Sequence, residues 1–200
     1  MNRRKNRTRR RNPVTKLCII LVVLLLLTLA GTYILKYYFP VNHREIIRKY
    51  AAENQLDEAL VFAVIHTESR FREQATSPVE ASGLMQIMRD TAYEQANHLG
   101  MDGFDYSQIF DPEINIRIGT FYLARLIQQF GVVDTALAAY NAGRGNVSRW
   151  LENPELSNDG IHLTAIPFPE TRNYVERVNT RVKIYHYLLW VDDWIPMPGL

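Results

Sequence analysis

The chain has 200 residues, 47% hydrophobic and 22% charged, with a single cysteine and 23 basic against 21 acidic side chains. That balance excludes a disordered chain and a disulfide-stapled scaffold, and the length suits one ordinary domain plus extensions. Eight of the bases lie in the first sixteen residues without an acid, so the remainder is net −6 and lacks the basic face that nucleic acid needs.

Those bases (Arg3, Arg4, Lys5, Arg7, Arg9, Arg10, Arg11 and Lys16) make residues 1–16 a basic tail. Leu17 to Leu35 follow without a charge. As a helix this run is about 28 Å long, near the thickness of a bilayer's hydrocarbon core. Basic flanks stay cytoplasmic, so residues 17–35 are expected to be a single-pass membrane anchor with the rest outside. Tyr33, Tyr37 and Tyr38 fit the outer interfacial belt. A cleaved signal peptide ending near Thr28-Leu29-Ala30 is the alternative, but the apolar run continues past that point. Cys18 lies at the start of the run, where it reads as an inert apolar thiol.

Residues 36–44, with Pro40, read as a linker; 45–190 as one domain; 191–200 as a C-terminal tail. The domain's periodicity is helical. Ile46, Ile47 and Tyr50 share a face, and Asp57-Glu58 open a helix striped by Leu60, Val61, Val64 and Ile65. Glu68 falls on or beside that stripe, near the helix end. Asp111-Pro112 starts a long helix (Ile114, Ile118, Tyr122, Leu126) that Gly131 ends. Ala136, Leu137 and Tyr140 mark a short helix stopped at Asn141-Ala142-Gly143. After a loop with Pro154, Gly160, Pro167 and Pro169 comes a last helix striped by Val175, Val178, Val182, Tyr185 and Leu189. No alternating strand pattern stands out beyond room for a small hairpin near 76–84. The fold class is all-α, or α+β at most by that hairpin.

A glutamate on an apolar helix is costly to ionise, so Glu68 should hold its proton toward neutral pH and serve as a general acid. Arg70 or Arg72 could instead pair with it structurally. Ser77, Pro78, Ala81, Ser82 and Gly83 carry little core-building bulk and let the backbone approach a ligand. Gln86 offers a donor and an acceptor to a sugar, and Met85 and Met88 could line a slot or fill the core. Tyr140 could place a hydroxyl in a cleft and a ring on a sugar, or be a core tyrosine. His66 reads as structural. Metal-ligand spacings and a nucleophile elbow are missing from the sequence, so no metal and no cofactor are expected.

These pieces resemble the lytic transglycosylase domain of the soluble lytic transglycosylase family, which has a lysozyme-like fold. The resemblance covers residues 45 to about 185. It rests on Glu68-Ser69-Arg70-Phe71; on Ala75, Ser77, Pro78, Gly83-Leu84-Met85-Gln86 and Thr91-Ala92; and on Asp111-Pro112, Asn115, Ile116, Gly119 and Tyr122-Leu123. Ala138-Ala139-Tyr140-Asn141-Ala142-Gly143 and Pro169-Glu170-Thr171-Arg172-Asn173-Tyr174-Val175 complete it. The resemblance implies that Glu68 is the catalytic acid/base and that Ser77, Gln86, Met88, Tyr140, Asn141 and Tyr174 line a glycan cleft. It implies cleavage of peptidoglycan glycan strands between N-acetylmuramic acid and N-acetylglucosamine without water, giving 1,6-anhydro products. The chain departs from the family pattern at Glu73, Glu80, Ser82 and Arg89. A hydrolytic muramidase and a membrane-tethered glycan-binding module are the alternatives. Protein partners are not specified by the residues.

Overall fold

The computed structural model describes residues 12–194, so most of the basic tail and residues 195–200 of the C-terminal tail lie outside the described residues. The chain divides into two units at Pro40–Val41.

The first unit is a single helix, α1 (Pro13–Tyr38), with Pro13 at its first turn, where a missing N–H costs nothing. Its mean hydropathy reaches 2.8. Leucine, valine and isoleucine side chains are exposed on every side, so it has no inward face of its own. Among the described residues it is the one helix long and apolar enough to cross a membrane. The expected span 17–35 lies within it. The expected linker is shorter than 36–44, because nothing breaks the helix before Phe39 and Pro40.

The second unit is all-α. Its helices are α2 (Arg44–Glu53), α3 (Glu58–Glu68), α4 (Arg89–His98), α5 (Pro112–Phe130), α6 (Val133–Ala142), α7 (Arg144–Leu151) and α8 (Pro169–Trp194), with a 3₁₀ turn at Tyr106–Phe110. Between α3 and α4 the backbone makes isolated antiparallel bridges, Thr76 to Ser82 and Ser82 to Ile87, without extending into a strand.

Capping explains the boundaries. Asp57 accepts the Ala59 N–H at 2.9 Å to open α3, and Asp111 accepts that of Ile114 at 3.0 Å to open α5. Gly131 closes α5 in the left-handed conformation (φ +71°). The last helix begins at Pro169 itself, which occupies its first turn rather than the preceding loop.

α3 is the centre of the domain. Every residue from Ala59 to His66 is buried, so the four-residue stripe understates it. Phe62, Ala63 and His66 face neighbours too, and α8 packs along it: the Phe62 and Tyr185 rings lie 5.2 Å apart. His66 sits on the Tyr185 ring at 5.9 Å, and burial, then Arg181 and Arg70, lower its pKa to about 4, which keeps it neutral. α4 and α7 were not expected from the sequence. α4 buries only Ala92, Gln95 and Ala96, two alanines and an amide, and so shows little apolar period; α7 carries one, Val147, Trp150 and Leu151 at i, i+3 and i+4, but over only eight residues.

Candidate active site

Glu68 is the last residue of α3. The chain leaves the helix through Ser69, then through Arg70 and Phe71, both at positive φ (54° and 62°). Two consecutive non-glycine residues in that region cost about 1 kcal/mol or more each. The offsetting contact is Phe71, which turns back into the core with its ring 5.8 Å from Phe62. The reversal leaves Glu68 half-buried at the open end of a buried helix.

Burial pushes the Glu68 carboxyl up from the ordinary 4.5 to about 7. The Tyr174 hydroxyl and the Arg177 guanidinium oppose that rise, and Glu170 adds to it. The Tyr140 and Tyr174 hydroxyls are themselves held well above the ordinary tyrosine value, first by burial and then by Glu68. These three groups therefore share one site, brought together by α3, α6 and α8. Tyr174 is 2% exposed, and its hydroxyl makes no hydrogen bond of standard length. It nonetheless approaches the Glu68 carboxyl closely enough to act on it as a hydrogen-bond donor.

Of the two readings for Tyr140, its hydroxyl follows the core-tyrosine one. Its hydroxyl donates to the Met85 carbonyl at 2.8 Å, and its ring lies 5.3 Å from that of Tyr122. The hydroxyl proton is committed to backbone, and one ring face is taken. Gln86 departs from expectation for the same reason. Its amide donates to the carbonyls of Ala75 (3.0 Å) and Gly83 (2.9 Å), so both hydrogens serve its own loop and only the oxygen remains for a ligand. Ser77 accepts the Ala81 N–H at 3.1 Å and keeps its proton to give. Asn141 accepts from Thr171 at 2.7 Å, tying α6 to α8 beside Tyr174. The two methionines divide: Met85 is fully buried, and Met88 is 52% exposed at the start of α4.

The loop carrying Ser77, Gln86 and Met88 is clamped by Asn115 of α5, which is fully buried. Its oxygen accepts the Met85 N–H at 2.8 Å, and its nitrogen donates to the carbonyls of Ser82 (3.1 Å) and Ile109 (2.8 Å). Gly83 (φ +79°) and Gly119 are glycines of necessity. A Cβ on the first would strike Asn115, and a Cβ on the second would strike Met85. The clamping role of Asn115, and Thr171, Arg177 and Glu170 as neighbours of the site, were not anticipated. An asparagine inside an apolar period was the one available signal, at position 115.

The other acids near Glu68 in sequence are placed elsewhere. Glu73 pairs with His43 at 3.1 Å, and Glu80 is exposed (φ +62°) with Arg89 near it over the Tyr106 ring. Among the described residues no cluster of three His, Cys, Asp or Glu side chains could hold a metal.

The Transglycosylase SLT domain matches residues 45–161, more than half of the chain. The chain is 38% identical over 154 residues to the soluble lytic murein transglycosylase of Escherichia coli strain K12, covering 76% of this chain and 24% of that protein. It is 37% identical over 156 residues to the Salmonella typhimurium protein of the same description, covering 76% and 24%. The solved soluble lytic transglycosylase of E. coli superposes with a TM-score of 0.69 at 35% identity, covering 78% of this chain and 26% of that one. An inactive mutant of lytic transglycosylase Slt from Pseudomonas aeruginosa gives 0.68 at 35%, covering 78% and 25%. The chain belongs to the transglycosylase SLT family, with its lysozyme-like fold. It spans about a quarter of the length of the curated relatives it matches.

Proposed function

We propose that the protein is a peptidoglycan lytic transglycosylase with Glu68 as its catalytic acid and base. The observation that carries this is one carboxyl, raised to about 7 at a half-buried helix end, coupled to two tyrosine hydroxyls. The relatives are named as murein transglycosylases, and the P. aeruginosa structure is of an inactive glutamate-to-glutamine mutant. The first supports the reaction, and the second supports its dependence on a glutamate.

Glu68, protonated, gives its proton to the oxygen between N-acetylmuramic acid and N-acetylglucosamine. As that bond breaks, the muramic acetamido oxygen closes onto C1 as an oxazolinium. The Glu68 carboxylate then takes the proton of the muramic 6-hydroxyl, whose oxygen attacks C1 and displaces the acetamido oxygen, restoring the N-acetyl group. The acid is regenerated and no water is consumed. Ordinary glycosidases divide this work between two carboxylates. Here Glu73 is engaged with His43, and the acid acting on Glu68 is Glu170. Tyr174, whose buried hydroxyl already faces the Glu68 carboxyl, is suited to stabilise the carboxylate midway through the cycle. Ser77, Gln86, Met88, Tyr140 and Asn141 form or brace the cleft wall. Mass spectrometry of digested sacculi is expected to give 1,6-anhydromuramyl ends; reducing ends would make the protein a hydrolytic muramidase instead.

The protonated form starts the cycle, so kcat/KM should be flat below neutrality. It should fall about tenfold per pH unit above the Glu68 pKa near 7. A falling limb centred near 4.5 would place the acid elsewhere. We further propose that α1 is a retained single-pass anchor, with a cytoplasmic N-terminus and the catalytic domain outside the cell membrane.

A further inference from the structure

The far end of α8 carries a surface that the cleft does not use. Tyr187, Trp190 and Trp194 recur at i, i+3 and i+7, and are 44%, 60% and 74% exposed. The two indole rings lie 6.5 Å apart. This is also the end at which the chain joins the domain. Arg44, the first residue of α2, donates to Asp192 at 3.2 Å and to Asp193 at 2.7 Å. Arg48 reaches Asp193 as well, at 3.1 Å. The carboxylates beside the tryptophans are thus matched by guanidinium groups rather than left as bare charge. Only Phe39 to His43 separate the last residue of α1 from Arg44, a connection of at most about 21 Å.

We propose that Trp190 and Trp194 are a membrane foot, seated at headgroup level in the leaflet to which the domain is tethered. The inference rests on α1 being a retained membrane span. Indole combines an apolar body with an N–H donor and partitions to the interface between lipid and water, where Tyr and Trp concentrate. The short tether keeps this end within reach of that interface, so docking costs little further ordering. The same helix then acts as a spacer. Tyr174, beside Glu68, precedes Trp190 by sixteen residues of α8, about 24 Å along the axis. A seated foot therefore holds the catalytic carboxyl no more than about 25–30 Å above the interface, and confines cleavage to glycan in that layer.

Tryptophan emission of the full chain, reconstituted in phosphatidylcholine vesicles brominated near the headgroup, tests this. Trp150 is the third indole, 8% exposed against Phe168 at 5.0 Å, and supplies an unquenched background. Brominated lipid is expected to lower emission about twofold, with aqueous iodide having little effect. The W190F/W194F double variant should lose the bromine response. Indoles quenched by iodide and not by bromine would overturn the foot, as would indoles shielded from both, which means cover by a second copy. Flotation of the same vesicles separates the two ways to fail. A chain that does not float removes the anchor and the foot together. A chain that floats with water-exposed indoles removes the foot alone.

Discussion

Replacing Glu68 with Gln is expected to lower turnover of peptidoglycan by at least about 10³-fold, with the fold and glycan binding retained. General acid and general base steps each contribute roughly 10²–10⁴, and the mechanism assigns both to this carboxyl. The amide matches the acid in size and cannot exchange a proton at neutral pH. The same change should raise stability, in a pH-dependent way. The Glu68 pKa is about 7 in the folded protein against 4.5 for the free side chain. Between those values the native state binds a proton that the unfolded state has lost, so stability falls as pH rises through the window. Above about pH 7 the full penalty of the buried charge is present; below about 4.5 it is absent. With the group half-buried, the discounted penalty is about 1–2 kcal/mol. Thermal melts at pH 8 and pH 4.5 should therefore show E68Q gaining several degrees at the higher pH and little at the lower. Retained turnover in E68Q would end the single-carboxyl mechanism. An equal gain at both pH values would show that the carboxyl is not desolvated in the folded state.

The largest effect on stability is expected at Asn115. Replacing it with Leu keeps the branched outline with some added bulk and orphans the Met85 N–H and the Ile109 carbonyl, while the Ser82 carbonyl keeps only its bond from the Ile87 N–H. Each unsatisfied buried group costs about 1–3 kcal/mol, so a loss of about 4 kcal/mol is expected. For a domain of this size that is a fall in Tm of about 10–15 °C. Asn115→Asp separates the contributions: it keeps the acceptor for Met85 and loses the donor to both carbonyls, so it should rescue only partly. Activity at low temperature should also drop, because the clamped loop carries Ser77, Gln86 and Met88 and accepts the Tyr140 hydroxyl at Met85. Thermal melts of the three proteins check this. A leucine variant melting within about 2 °C of wild type would mean that the loop is held by packing and not by these hydrogen bonds.

Much of this protein is written locally, and local physics is what a sequence displays. Asp57, Asp111-Pro112 and Gly131 place helix ends through bonds to their own neighbours. The apolar run of α1 announces itself by length, and Glu68 stands out because a carboxyl interrupts an apolar helix. Hence the helical class, the long helices and the candidate acid were legible. α4 and α7 were not: α4 buries two alanines and a glutamine, and α7 is eight residues long with only Val147, Trp150 and Leu151 to mark its face. Two further things required the tertiary structure. It is packing of α8 against α3, and of α6 against α8, that brings Tyr140 and Tyr174, distant in sequence, to the Glu68 carboxyl and removes enough water to raise its pKa. It is also packing that spends polar groups: Gln86 and Tyr140 look free to bind a sugar as letters, yet their protons go to backbone carbonyls of the loop between α3 and α4. A side chain's chemistry is set by its type, but its availability depends on which neighbours have already claimed it.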